Sequence, residues 1–354
     1  MGDPNIAAVI DDGQWFAHRY DPQHDAVHFV RMSRQVHQDA TFLTDEYLPA
    51  GLDKVIIARQ QAINAMSATR PPHYIFHSAF CCSTMLARAF DIPGVSIGLK
   101  EPPIFNDLVG WRHRGGGPPA HVAKVLDNLT SLLARPLTAG ERAIVKPSNL
   151  ANGLARGILA MQKESKAVLI YAPLGVYLRS IAKKEMTGRL WARDLLIKLL
   201  REDLVHLGFE PGDYLGQTDL QVAAVGWLAQ QALFARLIAE FGNTRVCTLD
   251  SESLLARPAE TIEALATHYE IGLSEPQINA IVTGDAFAKH SKSNVDFEPK
   301  DRALEYDEAA AQHGDEIAKV TLWAEAVADA ATVPMILPAA LLERDELSFE
   351  HSLS

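Results

Sequence analysis

Cysteine is scarce in this chain of 354 residues, which contains three, two of them adjacent. Cys81, Cys82 and Cys247 are too few and too unevenly spaced to form a disulfide framework or a cysteine-based metal site. The class of small secreted domains that depend on disulfides is thereby excluded. We therefore expect a protein of the reducing cytoplasm that holds no metal ion.

The chain also lacks long apolar runs and an excess of positive charge. No stretch of 18 or more apolar residues occurs, so no transmembrane helix is expected, and residues 1–15 lack the basic and apolar regions of a secretory signal. With 44 acidic and 33 basic residues the net charge is −11, which disfavours a nucleic-acid-binding surface. We expect neither nucleic-acid nor membrane partners, and the sequence indicates no oligomeric state.

What the chain does contain is a series of short apolar runs separated by segments of helical length. Runs of this kind form strands that are buried on both faces of a parallel sheet. The five runs are Tyr74–Phe76, Val95–Leu99, Ala143–Val145, Ala167–Ala172 and Arg245–Leu249. We therefore predict a three-layer α/β fold, with a central parallel sheet flanked by helices, over residues 71–333.

Two further segments flank this predicted domain. In residues 1–70 an apolar alternation at 26–30 predicts a small β element, and a helix is predicted from Asp53 to Ala68. We interpret this part as an N-terminal extension that packs on the main domain and is a candidate lid. Residues 334–354, apolar and then acidic, form a C-terminal tail that the pattern does not place.

Within the main domain, one helix is predicted more clearly than the others. Thr218 and Gln221 have the spacing of a capping box, an apolar stripe follows, and Gly242 ends the pattern. A last helix is predicted near residues 307–330.

The stretch from Tyr74 to Pro102 has the order strand, small-residue loop, helix, strand. A unit of this order places backbone N–H groups around an anion, usually a phosphate. The loop and the start of the helix comprise Ser78, Ala79, Phe80, Cys81, Cys82, Ser83, Thr84 and Met85. Against the nucleotide-binding pattern G-x-x-x-x-G-K-[ST], Thr84 supplies the hydroxyl but Ser83 replaces the lysine, so ATP hydrolysis is disfavoured. An ordinary turn of small residues fits this stretch equally well.

Polar residues also gather where the predicted strands end. These are His77-Ser78, Lys100-Glu101, Lys146 to Asn149 and, shortly after the fourth strand, Arg179-Ser180. Ligands of open α/β sheets bind at the carboxyl ends of the strands. The arrival of four polar clusters at one edge therefore indicates a binding site there.

Residues 245–272, RVCTLDSESLLARPAETIEALATHYEIG, resemble the late strand–loop–helix signature of the sulfotransferases. The matching positions are Glu252, Leu254-Leu255, Pro258, Leu265, Tyr269 and Ile271-Gly272. Earlier in the chain, SAFCCSTMLARAF is similar to the family's 5′-phosphosulfate loop, with Ser83 to Leu86 over its hydroxyl pair and helix start. The resemblance covers roughly Tyr74 to Lys292.

This resemblance implies a P-loop-like fold that binds 3′-phosphoadenosine 5′-phosphosulfate (PAPS) as co-substrate. The implied activity is transfer of a sulfuryl group to a hydroxyl or amine of a small-molecule acceptor. The family's 3′-phosphate motif has an arginine followed eight residues later by serine, but here Tyr171 stands in the arginine position. Arg179 and Ser180 are then the implied 3′-phosphate ligands, together with a C-terminal basic segment, Lys289, His290 and Lys292.

The resemblance also implies catalytic residues, although the loop and the third strand depart from the family pattern. Phe80 stands where the loop usually has a basic residue, and Cys82 where it has glycine. Many members have K-x-H after the third strand; Lys146 fits the lysine, but Ser148 replaces the histidine that serves as base. In the branch related to tyrosylprotein sulfotransferases, the base is a glutamate just after the second strand, where Glu101 falls.

Sulfuryl transfer needs an in-line acceptor oxygen, cations on the sulfate oxygens and a base for the acceptor proton, as phosphoryl transfer does. Glu101 is the predicted base, and apolar neighbours such as Ile104 and Phe105 would favour its uptake of a proton. Lys146 or Lys100 is predicted to neutralise the leaving oxygen. A charge pair that merely stabilises the sheet edge is the alternative interpretation.

Two other functions remain open from the residues. One is a protein of the same fold that binds a nucleotide or phosphate without transferring sulfuryl, because the loop lacks its cation. The other is a kinase-like phosphotransferase, which the absence of lysine at Ser83 disfavours and for which Asp250 is the nearest candidate Mg²⁺ ligand. The acceptor pocket is expected in regions that contain Trp111, Trp191, Arg193 and Tyr214.

Overall fold

In the computed structural model, the five apolar runs form the five strands of a parallel sheet. The strands are β4 (His73–His77), β5 (Ser96–Lys100), β6 (Arg142–Lys146), β7 (Ala167–Tyr171) and β8 (Val246–Asp250), in the order β5-β6-β4-β7-β8. Every residue of these strands is buried apart from Asp250, which is half-buried. Burial on both faces explains why the strands read as continuous apolar runs. The predicted α/β class is confirmed.

The structure describes residues 5–288 and 299–343, without the side chains of 299–311.

Helices connect and flank the strands. They are α1 (Ile6–Asp11), α2 (Arg34–Asp39), α3 (Arg59–Asn64), α4 (Ser83–Ala89), α5 (Ile104–His113), α6 (Pro119–Leu133), a 3-10 helix (Asn149–Leu154), α7 (Ala155–Met161), α8 (Leu174–Lys183), α9 (Glu185–Arg201), α10 (Asp213–Gly216), α11 (Asp219–Phe241), α12 (Ser251–Ala256), α13 (Pro258–His268), α14 (Glu275–Val282), α15 (Asp285–Ala288) and α16 (Pro299–Ala331).

The order of the strands fixes where a ligand can bind. The chain leaves β4 toward β5 on one side of the sheet and leaves the neighbouring β7 toward β8 on the other. The carboxyl ends of β4 and β7 therefore form the point at which the winding direction reverses. A crevice opens at such a point in doubly wound sheets and is the usual ligand site.

The N-terminal extension contains a three-stranded antiparallel sheet, β1 (Trp15–Asp21), β2 (Ala26–Arg31) and β3 (Lys54–Ala58). The small β element predicted at residues 26–30 forms as β2, but the predicted helix from Asp53 to Ala68 is wrong over its first part. Lys54–Ala58 pairs with β2, placing Ile57 opposite Val27, and only Arg59–Asn64 is helical. The β-branched run Val55-Ile56-Ile57 alternates between faces, with Ile57 buried and Ile56 61% exposed, which is a strand pattern.

Helix α11 forms as its end signals predict. Thr218 and Gln221 make both bonds of the capping box, and Gly242 ends the helix at φ 75°. By length and composition this helix could cross a membrane, yet 78% of its most apolar window is buried inside the fold. It packs against α8, α9 and α16, as the central helix of a globular core does. The last helix, predicted near 307–330, is confirmed and begins earlier, at Pro299.

The first part of the tail has a definite place. Thr248 of β8 donates its N–H to the carbonyl of Ala339 (2.9 Å) and accepts from the N–H of Leu341 (2.8 Å). Residues 339–341 thus continue the sheet beyond its outer strand. One hydrophobic core extends from Val9 to Leu337 through all three predicted segments, whose boundaries stay a prediction.

Candidate functional site

The loop between β4 and α4 has an unusual backbone. Three residues that are not glycine have left-handed φ angles: Ala79 at 73°, Phe80 at 51° and Cys82 at 62°. A side chain in this region costs about 1–2 kcal/mol per residue, so the surrounding structure must enforce it. Cys82 immediately precedes α4 and occupies the position at which the sulfotransferase pattern has glycine, the residue that this angle favours.

His77 fixes this loop to the end of β4. Its Nδ1 accepts the N–H of Ala79 (3.1 Å), so Nε2 carries the ring proton and donates to the carbonyl of Pro147 (3.1 Å). The carbonyl of His77 accepts from Nδ2 of Asn152 (3.0 Å). The loop is thereby tied to the segment that follows β6.

Aromatic rings surround Phe80, the position at which the family pattern has a basic residue. The Phe80 ring lies 5.9 Å from that of Tyr177 and 5.1 Å from that of Trp191, both in edge-on arrangements. The ammonium of Lys184 lies 5.9 Å from the centre of the Phe80 ring. A cation is therefore close to this loop, supplied by the end of α8 and held by the ring face.

Glu101 and Lys146 form an ion pair at the carboxyl ends of β5 and β6. Nζ of Lys146 donates to Oε1 of Glu101, and the exposed fractions of the two side chains are 0% and 19%. The N–H of Glu101 bonds to the carbonyl of Lys146 (2.7 Å), and Glu101 has a left-handed φ of 55°. Nε2 of His77 lies 3.9 Å from Oε1 of Glu101. Ile104 and Phe105, the expected apolar neighbours, are fully buried in the core, and the Glu101 carboxylate contacts Lys146 with His77 nearby. An apolar setting for Glu101 stays a prediction.

The ion pair and the loop face the same cavity, which has a volume of about 210 Å³. It is smaller than most small-molecule pockets, so it can hold the reacting end of a ligand while the remainder extends outside. Its walls come from the ends of three parallel strands, the loop, α9 and the N-terminal extension. They consist of Phe42, His77, Ala79, Phe80, Cys81, Cys82, Ser83, Thr84, Glu101, Lys146, Asn149 and Trp191.

The cavity brings together most of the predicted loop residues, but the side chains differ in what they do. Ser83 and Thr84 are the first residues of α4, where backbone N–H groups lack helical acceptors. Cys81 is buried with its Sγ directed at the carbonyl of Ile170 (3.4 Å), and burial raises the pKa of its thiol. Cys81 therefore fills the loop as a neutral side chain.

Lys100 is not brought to the cavity. Its ammonium donates to the carbonyls of His37 (2.6 Å) and Gln38 (3.1 Å) at the end of α2, and the side chain is 1% exposed. Burial, followed by the nearby charge of Arg88, lowers the pKa of Lys100 to about 8. Lys100 connects the N-terminal extension to β5, and Lys146 is the lysine at the site.

Four other predicted ligands also lie away from the cavity wall. Ser78 and Met85 are buried beneath the loop, and the Ser180 hydroxyl donates to the carbonyl of Val176 within α8 (2.9 Å). Arg179 is half-buried on α8, with its guanidinium folded toward the start of that helix, since a Cβ at Gly175 would lie 3.9 Å from Nη2. Its role as a phosphate ligand stays a prediction.

Lys289, His290 and Lys292 lie outside the described residues. The helix before them, α15, packs against α4, the helix that follows the loop. The basic stretch therefore begins, along the chain, directly after a helix that packs on α4, whose first two residues line the cavity.

The structure adds site residues that the sequence patterns did not single out. Phe42, from the N-terminal extension, places its ring 5.3 Å from Nζ of Lys146.

Trp191 was expected near the acceptor and does line the cavity. The other three residues expected there lie elsewhere: Trp111 packs on Tyr20 and His121, Arg193 pairs with Asp219, and Tyr214 contacts Phe209.

Asp250, the candidate Mg²⁺ ligand of a kinase-like function, has a structural role. One carboxylate oxygen accepts the N–H groups of Glu252 (3.1 Å) and Ser253 (2.9 Å), and the other accepts the Ser253 hydroxyl (2.6 Å). Asp250 thus caps α12 and is absent from the cavity wall.

Comparison with known proteins found no matching family model and no matching curated protein. The chain is similar to a sulfotransferase domain from the curacin biosynthetic pathway, with 14% identity, 70% of this chain and 99% of that chain covered, and a TM-score of 0.41. It is also similar to a sulfotransferase domain of the Synechococcus PCC 7002 olefin synthase (12% identity, 70% and 97% covered, TM-score 0.36). A third similar structure is sulfotransferase STF9 from Mycobacterium avium (11% identity, 70% and 77% covered, TM-score 0.39).

Proposed function

We propose that this chain is a sulfotransferase that transfers the sulfuryl group of PAPS to a hydroxyl or amine of a small-molecule acceptor. The observation that carries the proposal is the Glu101–Lys146 pair, which faces a cavity beside the left-handed loop at the point where the sheet reverses its winding. A base, a cation and a phosphate-type loop are the parts that transfer of a charged tetrahedral group requires.

Glu101 acts as the base in this proposal. Its Oε1 is held by Lys146, while no hydrogen bond to Oε2 is found in the described part of the chain, so one carboxylate oxygen remains for the acceptor. The acceptor hydroxyl gives its proton to Glu101, its oxygen bonds to sulfur, and the bond between sulfur and the donor's phosphate oxygen breaks. Protonated Glu101 then returns the proton to solvent.

Lys146 stabilises the negative charge that develops on the leaving oxygen. Its ammonium is buried against the Phe42 ring, and a charge in such a low-dielectric setting acts more strongly than one in water.

The donor end of PAPS fits the loop in two respects. The left-handed residues Ala79, Phe80 and Cys82 give the loop the concave backbone of an anion nest. The backbone N–H groups of Ser83 and Thr84 lie at the start of α4, where they have no helical acceptor. We assign the 3′-phosphate to Arg179, Ser180 and the basic residues Lys289, His290 and Lys292. The described packing of α15 on α4 supports the last assignment.

A binding experiment tests the donor assignment. Adenosine 3′,5′-bisphosphate should raise the melting temperature of the protein more than ATP with Mg²⁺ does, and Thr84→Ala and Arg179→Ala should remove that shift. Ser148→Ala is the matched control, because the Ser148 hydroxyl donates to Asn106 (2.6 Å) outside the cavity. Stabilisation by ATP with Mg²⁺ alone would instead indicate the kinase-like function.

A transfer experiment tests the catalytic assignment. With radiolabelled PAPS and a panel of phenols, alcohols and amines, wild-type protein should yield a labelled product. Glu101→Gln should bind the bisphosphate normally and lose at least about 100-fold in rate, the usual contribution of a general base. A protein that binds the bisphosphate but transfers no label to any acceptor would be a nucleotide-binding protein without this activity.

A further inference from the structure

The wall of the cavity carries no surplus of positive charge. Among the residues that the structure describes, its charged side chains are Glu101 and Lys146, which pair with each other, and the ring of His77 is held in a neutral form. Phe80 occupies the loop position of the usual basic residue and supplies no charge. A phosphosulfate group is negatively charged on both its phosphate and its sulfate. Its binding therefore needs a further cation close to the loop.

Lys184 places an ammonium group against this wall. Its Nζ lies 5.9 Å from the centre of the Phe80 ring, and Phe80 lines the cavity. Trp191, the wall residue of α9, follows Lys184 by about two helical turns, so both residues lie on one side of the helix. The Lys184 side chain is exposed. Its ammonium therefore lies beside the wall, where a ligand can reach it.

The backbone around Lys184 fixes the point from which this side chain extends. Lys184 ends α8 and directly precedes α9, and the next residue, Glu185, has a left-handed φ of 48°. Gly188 permits this close junction, since a Cβ there would collide with the carbonyl oxygen of Ile181 and lie 2.7 Å from Cβ of Lys184. Left-handed residues other than glycine persist only where the surrounding packing enforces them. The junction of the two helices therefore holds Lys184 in one place beside the loop.

We infer that Lys184 replaces the missing cation of the loop and binds oxygens of the phosphosulfate group through its ammonium. The inference rests on the proposed function and assigns one residue to the charged end of the donor. An ammonium over an exposed aromatic ring is held weakly, whereas one that bonds to a phosphate oxygen is held strongly. The ammonium therefore moves from the Phe80 ring to the donor when PAPS binds, a short movement that the flexible lysine stem permits.

Calorimetry with two nucleotides tests this contact. Adenosine 3′,5′-bisphosphate has a phosphate at the end that faces the loop, and adenosine 3′-monophosphate lacks it. Lys184→Met should weaken binding of the bisphosphate by at least about tenfold and leave that of the monophosphate within about twofold, because it removes a charge that contacts only the 5′ end. Lys184→Arg should retain most of the affinity. Lys198→Met is the matched control, since Lys198 is a lysine near the other end of α9 that pairs with Asp194, and it should bind both nucleotides as wild type does.

A relocated charge provides a second test. Phe80→Lys returns a cation to the loop at the position of the family pattern, and in the Lys184→Met protein it should recover most of the lost affinity for the bisphosphate. Thermal unfolding should show Lys184→Met to be as stable as wild type, because the side chain is exposed. A folded Lys184→Met that binds the bisphosphate as tightly as wild type would overturn the inference. Equal losses of affinity for the two nucleotides would also overturn it.

Binding and transfer assays separate this inference from the proposed function. Bisphosphate binding that depends on Lys184, in a protein that transfers no sulfuryl group, would support the contact and refute the proposed activity. Transfer by Lys184→Met with the wild-type kcat/KM for PAPS would support the proposed activity and refute the contact.

Discussion

Replacing Glu101 with glutamine should destabilise the protein because it leaves the ammonium of Lys146 buried without its counter-charge. Lys146 is fully buried, and no second carboxylate pairs with it in the described part of the chain. Breaking a buried ion pair by removing one charge costs about 3–5 kcal/mol. Glutamine still accepts a hydrogen bond, and Glu101 is 19% exposed, so we expect a loss of about 2–3 kcal/mol in the free energy of unfolding.

Urea unfolding of four proteins measures this cost: wild type, Glu101→Gln, Lys146→Met and the double variant. Methionine has nearly the volume of lysine without its charge, so the double variant should regain most of the stability, with a coupling energy of about 2 kcal/mol. Asp194→Asn is the surface control; its exposed pair with Lys198 should change stability by less than about 0.5 kcal/mol. A Glu101→Gln protein as stable as wild type, with no coupling to Lys146→Met, would refute the reasoning.

Substitutions at three further positions test other features. Phe42→Ala should raise the KM of the acceptor while leaving the dissociation constant of adenosine 3′,5′-bisphosphate within about twofold, because the ring lies beside Lys146 and the proposed function places the acceptor at the adjacent Glu101; equal losses in both, by kinetics and calorimetry, would contradict that proposed position of the acceptor. Cys82→Gly should match or exceed wild type in thermal stability, whereas Cys82→Val should lose about 1–2 kcal/mol, since only glycine adopts φ 62° without strain; equal melting temperatures would argue against a strained loop. Burial, then the charges of Lys100 and Arg34, lowers the pKa of His37 to about 3. Between about pH 6.5 and 3 the unfolded chain therefore binds a proton that the folded protein does not, and stability should fall as the pH falls, by about 1.4 kcal/mol per unit. His37→Leu should make that fall shallower by one proton, measured by urea unfolding between pH 7 and pH 4, and an unchanged slope would show that His37 does not contribute to it.

The parts of the fold that the sequence predicts are those that depend on local patterns. The sheet strands have continuous apolar residues at their centres, so the sequence alone predicts that they are buried on both faces. Thr218, Gln221 and Gly242 mark the ends of α11 by chemistry that operates over three or four residues. Where long-range pairing decides the structure, the prediction fails: residues 54–58 fall within the helix predicted from Asp53 to Ala68 but form β3, because they pair with β2.

The candidate site likewise contains residues that local patterns predict and residues whose positions depend on tertiary packing. His77, Glu101 and Lys146 were predictable because parallel strands deliver their carboxyl ends to one edge. Lys100 directly precedes Glu101, yet successive side chains of a strand point to opposite faces, and the carbonyls of α2 that bind Lys100 come from a distant part of the chain. Phe42 carries no local signal at all, since only the packing of the extension on the main domain brings its ring to the cavity.

The hydrogen bonds between Thr248 and residues 339–341 affect whether copies of the protein can associate through the edge of the sheet. The outer strand of an open sheet offers a row of unpaired amides and carbonyls to which another chain can add. Here the protein's own last described segment occupies part of that row, as a built-in blocking strand. A version of the protein shortened before Pro338 would expose the unpaired amides and carbonyls of β8. We expect that version to self-associate through β8.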